Sequence, residues 1–224
     1  MNGLLLVWTN IAHELERDFN EWYNREHMRE RILGVPGFTR GRRFVAFDGG
    51  PRYLAMYETR DVSVLHSEPY LALKRSFDPN SKRFVPNFRD TRKTAGGIVA
   101  SAGEGEGGMV AVVPLARSAG HDPTLRAWFE SAVLPGLLKL PGVIGAWYAE
   151  STPETLASVM ADIPRKDVIL DALLVIEAMS EEPLGAALSS LNWQDLESHG
   201  VRSDASAARL RVVYSVHSGA ANLR

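Results

Sequence analysis

The chain of 224 residues contains no cysteine. That excludes disulfides, thiolate metal ligands and cysteine nucleophiles, and it suits a reducing cytoplasm. Net charge is nearly absent too: 25 Lys and Arg stand against 27 Asp and Glu. No whole-molecule field would draw such a chain to nucleic acid or to an anionic membrane. Long hydrophobic runs are also missing. The apolar start, Leu4-Leu5-Leu6-Val7-Trp8, is too short for a bilayer span and lacks the basic flank and cleavage site of a secretion signal. These absences predict a cytoplasmic protein with neither nucleic-acid nor membrane partners. His13, His27 and His66 show no metal-ligand spacing, and there is no nucleophile-elbow serine.

What is present is enough apolar residue, 45%, to build a core without covalent staples. Residues 3–9 read as a strand covered on both faces. Residues 13–33 carry a helical period, with Leu15, Phe19, Trp22 and Leu33 on one stripe, stopped by Pro36-Gly37. Two strands, 39–47 and 52–59, flank the hairpin signal Asp48-Gly49-Gly50-Pro51. A helix over 63–76 and a strand over 88–101 complete the order βαββαβ. The stretch 74–93 is basic and interleaved with Phe77, Phe84 and Phe88, and it reads as a solvated loop.

The glycine-rich segment Gly103-Glu104-Gly105-Glu106-Gly107-Gly108 is not a nucleotide loop, because the strand-like Met109-Val110-Ala111-Val112-Val113 follows it instead of a helix. It reads as a linker. The order then repeats: strand 109–115, helix 122–139, strands 143–149 and 168–178, helix 182–191 and strand 209–217. Trp22-Tyr23 matches Trp128-Phe129, and Pro36-Gly37 matches Pro141-Gly142. The longer connections 151–167 and 192–208 read as exposed loops. The prediction is an α+β fold of two tandem ferredoxin-like βαββαβ units, 1–102 and 109–224, joined by the linker 103–108. Each unit leaves one sheet face open, so the two sheets pack face to face as an intrachain barrel. A ligand pocket would lie between the units or under the first helix.

The first helix holds the candidate chemistry. Tyr23 and His27 are i,i+4 neighbours beside the apolar stripe, and ideal periodicity places Glu26 near its middle. A carboxylate there must be protonated, hydrogen-bonded or paired with a cation. Imidazole moves protons near neutral pH. Aligning the tryptophans replaces Tyr23, Glu26 and His27 by Phe129, Ala132 and Val133. The fold therefore does not require the three polar groups, which points to a role in chemistry. On strand two, Arg42 and Arg43 face opposite ways, and either would hold a substrate anion or neutralise Glu26. Tyr53 and Tyr57 share a face of strand three. With Trp22 they are candidate substrate contacts.

The run Phe19-x-x-Trp22-Tyr23-x-x-x-His27, then Pro36-Gly37 and Arg52-Tyr53-Leu54-Ala55-Met56-Tyr57-Glu58, resembles the EthD-like branch of the dimeric α/β-barrel superfamily. The resemblance implies ferredoxin-like sheets paired face to face, usually between two chains, and it places the family's helix histidine at His27. Relatives include cofactor-free enzymes of polyketides, lactones and aromatic compounds, and haem binders. The expectation is a cofactor-independent enzyme of lyase, isomerase or cyclase type. His27 would move a proton on a small carbonyl, lactone, polyketide-like or aromatic compound, with Tyr23 or Glu26 orienting it. A non-catalytic binding or stress-response protein and a haem protein remain alternatives, and a homodimer remains open.

Overall fold

The computed structural model describes residues 1–76, 78–118, 123–160 and 167–219. Strand β1 (Gly3–Asn10) is apolar throughout and covered on both sides. Leu4, Leu6 and Trp8 enter one core, while Leu5 and Val7 enter another, as the two-residue period of a strand requires. A tight turn leads into α1 (Glu16–Trp22), a π turn (Tyr23–His27) and α2 (Met28–Gly34). Strands β2 (Phe38–Asp48) and β3 (Tyr53–Thr59) form the expected hairpin. Gly49 and Gly50 both take positive φ, at 72° and 55°. A Cβ on Gly50 would sit 1.9 Å from the Trp8 ring, so only glycine lets the hairpin close over that indole.

Helices α3 (Glu68–Arg75) and α4 (Pro79–Phe84) precede β4 (Arg89–Ala102). Helix α4 lies where a solvated loop was expected. Its start signal is local: Asp78 accepts from the Asn80 and Ser81 amides, and Pro79 fills the first turn. The chain continues through β5 (Met109–Arg117), α5 (Pro123–Trp128), a second π turn (Phe129–Val133), α6 (Leu134–Leu138) and β6 (Val143–Ser151). Helix α7 (Pro153–Met160), β7 (Val168–Ile169), β8 (Ala172–Ala178), α8 (Glu181–Ser190), α9 (Trp193–Ser198), β9 (Val201–Ser203) and β10 (Ala208–His217) follow. The connections expected to be open loops thus hold α7, α9 and β9. The strand expected over 168–178 is broken between β7 and β8. Phe77, Asp122 and residues 161–166, which the sequence reading placed in loops and a helix, lie outside the described residues.

Eight strands close into an antiparallel barrel in the order β1-β3-β2-β10-β5-β8-β6-β4, with β4 returning to β1. The first four barrel strands lie β4-β1-β3-β2 and the last four β10-β5-β8-β6, so both sets show the spatial order 4-1-3-2 of a βαββαβ unit. One chain therefore completes the barrel without a second copy. The interior is filled by Leu6, Trp8, Phe44, Met56, Trp147 and Leu210, among others. Between the two strand sets a pocket of about 210 Å³ remains, lined by Arg40, Glu58, Ile98, Trp147 and Glu177 among others. Two further cores lie outside the barrel, each under one set of helices. Among the described residues no helix is long and apolar enough to cross a membrane.

Candidate functional site

The π turn decides which side chains of the first helix face inward. It inserts an extra residue per turn, so the angular positions that follow rotate away from the ideal α register. Glu26, expected on the apolar stripe, is exposed and accepts a hydrogen bond from Asn80 Nδ2 at 2.9 Å. His27 takes the inward position and is only 6% exposed. Its ring lies 4.2 Å from that of Trp22 and 4.8 Å from that of Tyr23. Trp22 stacks in turn on Phe84 of α4, so it backs the imidazole.

Beneath His27 is a cavity of about 60 Å³ whose lining includes Tyr23, Arg31, Tyr57, Tyr70, Lys74 and Lys93. Leu5 and Phe88 supply apolar wall, while the half-buried Val7 and Val85 lie nearer the surface. The Tyr57 hydroxyl donates to the Tyr23 hydroxyl at 3.1 Å. Arg31 donates to the His27 carbonyl at 2.8 Å and lies over the Tyr57 ring, 5.8 Å from its centre. Lys93 pairs with Asp167 at 2.8 Å, and Lys74 donates to the Ser158 carbonyl at 2.7 Å. Val159 of α7 closes one wall. The last four barrel strands thus lend a helix to the site of the first four, because the β6–β8 connection crosses over to them.

Burial pushes the His27 imidazole well below its ordinary range, and Arg31 and Arg43 push it the same way. The ring is therefore neutral at pH 7, and its Nδ1 is buried without a hydrogen-bond partner. Burial likewise raises the Tyr57 phenol, helped by Tyr23, so Tyr57 stays a hydrogen-bond donor.

The other expected residues divide between two places. Arg43 lies under α1, 1% exposed, with its guanidinium 4.4 Å from the centre of the Tyr23 ring. It donates to Asn24 Oδ1 at 2.6 Å and to Asn20 Oδ1 at 2.9 Å. Tyr53 shares the sheet face of Tyr57, but its hydroxyl is taken by Glu16 and Asn20, away from His27. Arg42 points the opposite way, into the barrel, where it makes a bidentate pair with Glu177 at 2.8 and 2.7 Å. Glu177 also accepts from Trp147 Nε1 and from the Gly107 amide. Arg42 is thus a tie between the two strand sets, and neither it nor Glu26 reaches the cavity. Sequence reading missed Arg31, Tyr70, Lys74 and Lys93. Arg31 could have been found from the helix, four residues after His27, while the other three come together only through the fold.

A haem does not fit these residues. A cofactor-sized ligand needs roughly 300 Å³ or more, and His27 is wedged between two rings above a cavity of about 60 Å³. A larger groove of about 320 Å³ lies between α6 and α9, but Val133 and Ala132 line it and no histidine does.

No protein-family model matches the sequence, and it matches no curated protein. Solved structures do match its fold. An anthrone oxidase-like protein aligns with TM-score 0.60 and 13% identity over 97% of this chain and 93% of the other. A monooxygenase candidate from Fusobacterium nucleatum subsp. nucleatum gives 0.60 and 7%, over 96% and 94%. A haem-binding protein from Thermus thermophilus gives 0.53 and 8%, over 95% and 91%. These likenesses are of fold alone: each covers more than nine-tenths of this chain, whose eight-stranded barrel closes within a single polypeptide.

Proposed function

We propose that the cavity under α1 and α2 is the active site of a cofactor-independent oxidoreductase acting on a small, acidic carbonyl or phenolic compound. His27 is the base, and Tyr23 with Tyr57 are the hydrogen-bond donors to the anion it creates. The observation that carries this is a buried imidazole with an unpartnered Nδ1, facing two phenols and Arg31 around one cavity. An imidazolium beside Arg31 and Arg43 is unfavourable unless an anion forms next to it. Removing a proton from carbon or a phenol makes that anion, so the site favours the product of proton transfer over the protonated base alone. An electron-rich carbanion or phenolate of this kind reacts with dioxygen. For an activated CH2 the outcome is C=O with one water released per dioxygen consumed.

The choice of an oxidoreductase over the expected lyase, isomerase or cyclase rests on the fold neighbours, among them the anthrone oxidase-like protein and the monooxygenase candidate. We also read the chain as one EthD-like unit present twice, 1–102 and 109–224, with 103–108 as the linker. The matching strand orders and the π turns at Tyr23–His27 and Phe129–Val133 support this. Leu5 pairs with Tyr57 in the first set, and Ala111 with Ile176 in the second. The alignment that superposes Trp22 on Trp128 also superposes Leu5 on Ala111 without a gap. Tyr23, His27 and Tyr57 then correspond to Phe129, Val133 and Ile176, so the second unit serves as scaffold.

The test is oxygen uptake by metal-stripped, haem-free protein given a panel of small phenols and 1,3-dicarbonyls. Turnover that falls about 100-fold or more in His27→Ala supports the reading. Saturable binding with no turnover across the panel would replace it with a binding protein.

A further inference from the structure

Among the described residues the cavity is lined by cations and by no carboxylate: Arg31, Lys74 and Lys93 are present, and the other walls are aromatic or aliphatic apart from His27. Lys93 is balanced by Asp167. Arg31 is not balanced in this way. It is 6% exposed and bonds a backbone carbonyl, and no ion pair among the described residues includes it. Glu30 and Asp78 share a separate crevice with its other side, with no ion pair formed. Arg43, 1% exposed, is held only by amides and aromatic rings. A buried guanidinium without an ion pair is costly, and of the two only Arg31 lines the cavity. Arg42 is the contrasting case, a buried arginine with a structural role, and Glu177 holds it in bidentate geometry.

We propose that the missing partner is the ligand. The site of the proposed enzyme takes a planar monoanion with its charge shared over two oxygens, held by Arg31 and Lys74. The inference rests on that functional reading only for the use of the anion, not for its binding. At about 60 Å³ the cavity admits on the order of four water-sized groups, which suits a carboxylate or a 1,3-dicarbonyl enolate as the head. The rest of the molecule would leave past Val7, Lys74 and Val85, the half-buried residues of the lining. Guanidinium matches such a pair of oxygens in a fork. A bound anion also offsets the two arginines beside His27, which makes the imidazole a better base once substrate is in place.

Calorimetric titration of the full chain at pH 7 tests this with three probes: benzoate, acetylacetone and the neutral isostere benzamide. Benzoate or acetylacetone should bind saturably and benzamide at least tenfold more weakly, and the tighter binder of the first two tells carboxylate from enolate. Arg31→Gln should weaken the acid at least tenfold. Lys74→Gln, at the half-buried mouth, should weaken it severalfold and guards against misfolding of the first variant. His27→Ala should bind the acid within a few-fold of the parent. Equal affinity for benzamide, no effect of either cation substitution, or no binding of either acid overturns the proposal. Charge-dependent binding without turnover of any compound would leave it standing while the enzyme reading fails. Turnover of a neutral phenol without acid binding would do the reverse.

Discussion

His27 and Tyr23 stand edge to face with 4.8 Å between their ring centres, at opposite ends of one π turn. The turn brings both rings inward and leaves Glu26 between them in sequence but outside in space. Tyr23 continues the contact through its hydroxyl to Tyr57 on β3. One local irregularity thus assembles an imidazole and two phenols over a cavity.

Burial of neutral His27 makes stability depend on pH. Its folded pKa is depressed, so below the ordinary imidazole value near 6.5 the unfolded chain takes up a proton that the folded chain refuses. Stability is full above that value and falls as pH drops through the window beneath it, by up to about 1.4 kcal/mol per pH unit. Urea unfolding from pH 7 to 5 should show this slope, and His27→Phe should flatten it. An unchanged slope would mean that His27 is protonated when folded.

Arg42 and Glu177 should behave as a unit. Burial raises the Glu177 carboxyl, but the hydrogen bonds and charge of Arg42 outweigh it, and the net shift is downward. Arg42→Met leaves a buried carboxylate uncompensated and should cost about 3–5 kcal/mol. Arg42→Met combined with Glu177→Leu should recover much of that loss. Chemical denaturation of the three variants gives the coupling, and additive losses would argue against a direct pair.

Helix α7 closes the site from the far side of the chain. Val159→Trp places a ring where the cavity now is, and should abolish ligand binding while costing about 1–3 kcal/mol from overpacking. Thermal melting and titration on the same sample separate the two effects. Retained affinity would show that ligands bind elsewhere.

Tyr57→Phe removes the hydroxyl bonded to Tyr23 and keeps the ring. A loss of about 1 kcal/mol in stability is expected. Turnover should fall about tenfold to a hundredfold as the donor to the developing anion is lost. Equal rates in parent and variant would remove Tyr57 from the chemistry.

Much of this architecture was legible from residue order. The apolar β1 run and the Asp48-Gly49-Gly50-Pro51 hairpin signal led to strands of the antiparallel barrel. Ideal 3.6-residue periodicity misplaced Glu26, because nothing in Tyr23-Asn24-Arg25-Glu26-His27 announces a π turn. Arg42 and Arg43 were correctly placed on opposite faces, but which face met the helix depended on register. Helix α7 was hidden in a connection that looked like loop, and with it went Val159 and the reason Lys74 and Lys93 converge. Contacts between Lys74 and Ser158, or Lys93 and Asp167, join distant segments that no spacing rule relates.

The central claim is that His27 removes a proton before any oxygen is consumed. Anaerobic incubation of a 1,3-dicarbonyl compound with the protein in deuterated water isolates that step, because proton removal alone exchanges the acidic C–H. Enzyme-catalysed deuterium uptake, read by NMR and lost about 100-fold in His27→Ala, is the predicted result. Exchange no faster than in buffer, or equally fast in His27→Ala, would contradict the account.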